Sequence, residues 1–261
     1  MNLHVESIGS GAPLVLLHGW GMHGGVWSDV AQKLAESFHV HSVDLPGYGN
    51  SRNQESGFGI REQGLDGIVD QLRFRFTEPV TVCGWSLGGQ IAMHWAAREP
   101  EQVCRLILVA STPCFTERAD WLCGIESAVL QKFASELELN HAVTLRRFVA
   151  LQLRGCENER ELHALLRDRL FSRGEPEMAA LRGGLDILRD ADQRGELQAI
   201  IQPTLVISGE RDKLTPPAAS DYLAQAIPKA RLLQVAGAAH APFLSHPEIF
   251  IEQVRRFLQE Q

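Results

Sequence analysis

No uninterrupted apolar run in the 261 residues reaches the length needed to span a bilayer, so a transmembrane helix is not expected. Low-complexity tracts and internal repeats are also missing. Positive charge is in deficit: 25 Lys and Arg stand against 32 Asp and Glu, for a net charge of -7. A surface that tracks nucleic-acid phosphates needs the opposite balance, so nucleic-acid binding is excluded as the main role. Cysteine is sparse and odd in number, with Cys83, Cys104, Cys114, Cys123 and Cys156 showing no metal-ligand spacing. Such residues are expected as reduced thiols, and no metal site is expected. Residues 1–6 contain no basic segment leading into an apolar one, so a secretory signal is not expected either, and the expected location is cytoplasmic.

What is present is an ordinary globular composition, 44% hydrophobic and 22% charged, in a chain long enough for one large core with an insertion. Short apolar runs at 13–18, 40–44, 80–83, 106–110, 204–208 and 231–235 suit strands buried on both faces. Helical patterns at 27–37, 64–76, 87–98, 218–226 and 248–259 fall between or after them. Strand alternating with helix implies an α/β fold with a parallel sheet and right-handed crossovers. The alternation fails over 112–202, which is rich in Leu, Arg and Glu with helical spacing but has no convincing strand. That stretch is expected to be a helical lid inserted into a core formed by 1–111 and 203–261, with Pro203 marking the return to the sheet.

Gly84, Trp85, Ser86, Leu87 and Gly88 fit Gly-x-Ser-x-Gly. The pattern alone is weak, since a random chain of this size contains it about one time in ten. Its context is specific: a strand at 80–83 enters it and a helical pattern leaves it, as a nucleophile elbow requires. The glycines permit the tight turn and leave the Ser86 hydroxyl above the sheet.

Serine needs a base to take its proton, and His240 is the candidate because it directly follows the last strand. His246, followed by Pro247, reads better as a helix-entry residue. The base in turn needs an acid to fix its tautomer. Asp212 follows the strand at 204–208 on its carboxyl side, where such sheets carry their ligands; Glu210 reads as a solvated charge. The oxyanion of the tetrahedral intermediate calls for two preset donors. The Leu87 amide is one candidate and the Trp20 amide, from His18, Gly19, Trp20 and Gly21, is the other. The Trp20 indole serves either as a pocket wall or as core packing. Asp44 and Ser51 are read as scaffold residues that hydrogen-bond the backbone of the turn between them.

Together with Asp44 to Gly49 and with Gly237 to Phe243, these motifs resemble the α/β-hydrolase superfamily over nearly the whole chain. The resemblance implies the α/β-hydrolase fold: a mostly parallel twisted sheet, helices on both faces and an inserted helical lid. It also implies a serine hydrolase with Ser86, Asp212 and His240 as triad and no metal or organic cofactor. Within the superfamily the chain resembles the pimeloyl-(acyl-carrier protein) methyl ester esterases. That narrower resemblance lies in residues 16–21, Ala110 to Phe115, Arg147 to Gln152, Gly183 to Leu188 and Ala239 to Phe243. It implies hydrolysis of the methyl ester of a pimeloyl group held on acyl-carrier protein, a step in biotin biosynthesis, by a monomer. It also implies substrate contacts from Trp20, Ser86, Leu87, Phe148, Val149, Ala150, Leu151, Gln152 and His240.

On a helix those lid residues cannot all face one way, and Phe148 and Gln152, four apart, share a face. Lid packing is the competing explanation for the apolar ones. Over 141–173 seven arginines (146, 147, 154, 160, 167, 169 and 173) face four acids (Glu157, Glu159, Glu161 and Asp168) in a chain that is acidic overall. Arg147, Arg154 and Arg160 are therefore candidates for docking the acidic carrier, with a solvated helix face as the alternative. Other serine hydrolases of this scaffold, such as general carboxylesterases, thioesterases and C–C bond hydrolases, remain open, as does a ligand-sensing protein with a hydrolase pocket. Dehalogenases and epoxide hydrolases are disfavoured because their relatives place Asp where Ser86 stands.

Overall fold

Apolar segments too uniform to alternate between core and water become the centre of a seven-stranded sheet. The computed structural model describes residues 3–52 and 60–260. Strands β2 (Pro13–Leu17), β4 (Val80–Trp85) and β6 (Thr204–Gly209) are buried along nearly their whole length. With β3 (His39–Val43), β5 (Val103–Val109) and β7 (Ala230–Val235) they pair in parallel. The spatial order is β1-β3-β2-β4-β5-β6-β7. The first strand, β1 (Val5–Ile8), joins β3 antiparallel, with Val5 opposite Val43. It was not among the expected strands: Glu6, Ser7 and Ile8 are exposed, so it carries no apolar run. An edge strand bearing charge also resists pairing with another chain.

Helices cover both faces. On one, α1 (Ser28–Leu34) packs against α10 (Pro247–Gln259), and the one-turn α9 (Pro242–Ser245) sits beside them. Trp27 there meets Phe243 with ring centroids 4.1 Å apart. Elsewhere α2 (Ile60–Arg75), interrupted at Gly64, packs on α3 (Leu87–Arg98), which lies on β4 and β5. The helix α8 (Pro217–Ala226) covers β6 and β7.

Between β5 and β6 the chain forms α4 (Ser127–Leu139), α5 (His141–Leu153), α6 (Glu159–Leu170) and α7 (Met178–Asp190). Each buries leucines at helical spacing, such as Leu162, Leu166 and Leu170 in α6. Asn140 caps α5 by accepting the Val143 amide at 3.2 Å. This helical segment is fastened to the sheet at a few points. Arg173 donates to both oxygens of the buried Asp44 (3.0 and 3.1 Å) and also pairs with Glu6. The indole of Trp20 donates to the Leu181 carbonyl at 2.8 Å. Asp44 also accepts the amides of Gly24 (2.7 Å) and Asn50 (2.8 Å), while the Ser51 hydroxyl donates to the Asp44 carbonyl, so both brace their turn as scaffold.

Candidate active site

Ser86 stands between the end of β4 and the first turn of α3, at φ 55° and ψ -117°. A non-glycine residue rarely adopts such a backbone, and it survives where the surroundings over-determine it. Here the Ser86 amide donates to the Val109 carbonyl at 3.0 Å, and its own carbonyl accepts the Gly89 amide at 2.9 Å. Close approach explains the glycines: a Cβ on Gly88 would lie 2.5 Å from the Leu17 carbonyl oxygen, and one on Gly19 would lie 3.3 Å from the Ser86 Cβ. The loop after β2 therefore lies directly against the serine.

The loops after β6 and β7 bring Asp212 and His240 together. His240 Nδ1 lies 2.8 Å from Asp212 Oδ2. A carboxylate accepts, so Nδ1 carries the proton and Nε2 presents a lone pair. Asp212 Oδ1 accepts the amides of Leu214 (2.9 Å) and Thr215 (3.0 Å), and Oδ2 also accepts the Thr215 hydroxyl at 2.8 Å. Four donors hold the carboxylate in place. The His240 backbone is held on both sides: its amide donates to the Gln152 carbonyl at 3.0 Å, and its carbonyl accepts the Trp85 indole at 2.8 Å. Ser86, Asp212 and His240 are all buried. Glu210 accepts the Gly237 amide at 3.0 Å and so shapes the loop before His240, while His246 is the N-cap residue of α10.

Neither the Trp20 nor the Leu87 amide has a hydrogen-bond partner among the described residues. Leu87 opens α3, where amide groups lack intrahelical acceptors. On the Trp20 side, the buried His18 donates from Nδ1 to the Gly19 carbonyl (2.8 Å) and accepts the Leu45 amide at Nε2 (3.0 Å). Burial lowers its pKa from 6.5 to about 4, which keeps this arrangement neutral at neutral pH.

Beside these groups is a small cavity of about 70 Å³ lined only by apolar side chains, among them Trp20, Phe133, Phe148, Leu151, Leu185 and Leu214. The Trp20 ring lies 5.0 Å from that of Phe148 and 5.4 Å from that of Phe133, so it both packs and forms the wall. Of the α5 residues expected at the substrate, Phe148 and Leu151 line this cavity. Val149 is buried in the core, Ala150 lines an outer cleft, and Gln152 is buried where its carbonyl meets His240. The side-chain oxygen of Gln152 is buried and has no hydrogen-bond partner among the described residues. The outer cleft of about 310 Å³ also includes Arg147, Arg154, Leu151 and Glu159, so Leu151 belongs to cleft and cavity alike. Arg147 pairs with Glu136 at 2.8 Å, while Arg154 and Arg160 are exposed and have no ion-pair partner among the described residues. No group of acidic, His and Cys side chains among the described residues is arranged to hold a metal.

Sequence reasoning missed Thr215, the backbone contact from Gln152, and the Arg173–Asp44 pair. The three-residue spacing of Asp212 and Thr215, typical of a side chain capping the amides that follow it, is a signal that could have revealed the first. The other two join residues far apart in sequence and leave no local pattern.

Comparison with known proteins is consistent in outcome. A family model described as alpha/beta hydrolase fold matches residues 12–247. Pimeloyl-(acyl-carrier protein) methyl ester esterase of Nitrosomonas europaea is 44% identical over 96% of this chain and 97% of its own length. The protein of the same name from Chromobacterium violaceum is 41% identical over the whole of both chains. Among solved structures, an esterase from Exiguobacterium antarcticum superposes with a TM-score of 0.87 at 24% identity, covering 99% of this chain and 96% of its own. An enol-lactonase from Burkholderia xenovorans gives 0.81 at 25% identity, covering 99% and 96%.

Proposed function

The chain belongs to the alpha/beta-hydrolase family, and from that premise we propose that it cleaves the methyl ester of a pimeloyl group carried on acyl-carrier protein. The observation that carries the chemistry is the buried Asp212–His240 pair, saturated with hydrogen bonds, at the same sheet edge as the strained Ser86. The observation that carries the substrate is the extent of the likeness to the named esterases, which spans the helical segment as well as the sheet.

In this reading His240 Nε2 takes the Ser86 proton as Oγ attacks the ester carbonyl, and Asp212 stabilises the resulting imidazolium. The amides of Trp20 and Leu87 receive the oxyanion. His240 then returns the proton to the departing methoxide, methanol leaves, and a water activated by the same base releases the free carboxylate from Ser86. The helices α4 to α7 act as a lid. The apolar cavity takes the methylene chain, and an unpaired carboxylate would be costly there. A chain passing Leu151 would emerge in the outer cleft beside Arg147 and Arg154, where an acidic carrier would find complementary charge. Arg160, on α6, extends the same positive surface.

The substrate contains both an oxygen ester and a thioester, which makes a decisive test available. Purified protein is incubated with methyl-pimeloyl carrier and the products are weighed by mass spectrometry. Loss of the methyl group, absent in Ser86→Ala, is the expected result. Release of free carrier thiol would refute the assignment.

A further inference from the structure

Two non-glycine residues among those described have positive φ: Ser86 at 55° and Ala110 at 44°. The first is explained by the elbow, whereas the second has no part in the chemistry above. Ala110 directly follows β5, the strand beside β4, and its amide donates to the Ile207 carbonyl at 2.8 Å. Its unusual turn delivers Ser111 to the elbow. Ser111 is buried and its hydroxyl donates to the Ser86 carbonyl at 2.9 Å. A Cβ on Gly89 would lie 2.5 Å from the Ser111 Cβ, so the side chain is wedged against the first turn of α3.

We propose that Ser111 is a positioning residue that aims the Leu87 amide at the developing oxyanion. The inference rests on reading Leu87 as an oxyanion donor. The peptide from Ser86 to Leu87 is planar and trans, so its carbonyl and N–H point in opposite directions. Whatever fixes the carbonyl therefore fixes the N–H. The Gly89 amide at 2.9 Å and the Gln90 amide at 3.3 Å also reach that carbonyl, but both belong to α3 and move with it. The Ser86 amide, on the preceding peptide, is held by the Val109 carbonyl; among the described residues Ser111 is the group outside α3 that holds the Ser86 carbonyl itself, tying it to the end of β5 and to the sheet that carries Asp212 and His240. A carbonyl that accepts several hydrogen bonds is also more polarised, which makes the N–H on its far side a better donor.

The second donor is built on the same plan. The Gly19 carbonyl, opposite the Trp20 N–H, accepts the hydrogen bond from His18 Nδ1. Both donor peptides thus have a buried side chain behind them, and in each case a preset direction spares reorganisation during the reaction.

The test uses the full chain with Ser111→Ala and Ser111→Cys, the second keeping a comparable volume and a weak donor. A p-nitrophenyl ester reports kcat and KM, and a trifluoromethyl ketone, which adds to serine as an oxyanion-bearing hemiketal, reports oxyanion binding. Ser111→Ala is expected to lower kcat about five- to tenfold, hold KM within about twofold, and weaken the ketone by the same factor as kcat. Ser111→Cys should fall between Ser111→Ala and the parent, and it carries the test if the alanine variant does not fold. The apparent pKa of kcat/KM should not move, because the His240–Asp212 pair is untouched. An unchanged kcat, or a reduced kcat with undiminished ketone affinity, would overturn the proposal. A parent enzyme inert toward every ester would instead overturn the hydrolase reading on which it rests.

Discussion

The carboxyl edge of the sheet and the helical segment above it are held by contrasting means. At the edge the proposed reacting groups are fixed by short hydrogen bonds: four donors on Asp212, two backbone bonds on His240, and a strained serine locked between β4 and β5. The helical segment packs through leucines and phenylalanines and touches the sheet at scattered points, such as Arg173 on Asp44 and Trp20 on Leu181. Preorganisation is needed where charge develops, and adaptable apolar packing suffices where methylene groups are held. Under the proposed function, the chemistry and the choice of substrate would therefore be carried by parts with different tolerance to change.

The largest effect should come from breaking the edge. Asp212→Asn keeps the shape but favours the wrong His240 tautomer, and kcat should fall by roughly 10³- to 10⁴-fold with KM little changed, as steady-state kinetics would reveal. A wild-type-like rate would remove Asp212 from the mechanism.

Next in size is the joint between the two regions. Arg173→Met strands the buried Asp44 carboxylate, leaving it only its amide donors, and should cost about 3 kcal/mol in urea unfolding. Loss of under about 1 kcal/mol would mean that the joint does not hold the helical segment down.

Acid should weaken the fold through its buried histidines. Burial lowers the pKa of His18 and of His41 to about 4, and it lowers that of His23 as well. The unfolded chain thus takes up protons near pH 6.5 that the folded chain refuses until about pH 4, so stability is full above that window and declines as pH falls through it. His18, fully enclosed, contributes about 3 kcal/mol of that decline. Chemical unfolding at pH 7, 6 and 5 should show it, and a flat profile would contradict the assigned neutral state.

The smallest effect belongs to the outer surface. Charge reversal of Arg147 and Arg160 should raise KM for a carrier-bound ester about five- to tenfold and leave a small soluble ester unchanged. Equal effects on both substrates would argue against carrier docking.

How much could be read in advance follows the same division. Strands buried on both faces announce themselves as apolar runs, and the candidacy of Ser86, Asp212 and His240 follows from their places after β4, β6 and β7. The edge strand β1 gives no such signal, because three of its four residues face water. The short α9, with Pro242 at its start, is hidden in what reads as a loop. Within α5, Leu151 lines both the cavity and the outer cleft, a placement set by the neighbouring helices that local periodicity does not encode. Ser111 was legible only as part of a family-like motif, since its partner is a carbonyl 25 residues away.

The hydrogen bond from the His240 amide to the Gln152 carbonyl has a further consequence for the resting enzyme. Under the proposed reading, it couples α5 to the loop that holds the base like two parts on one pin, so a substitution that shifts the end of α5 should be felt at His240.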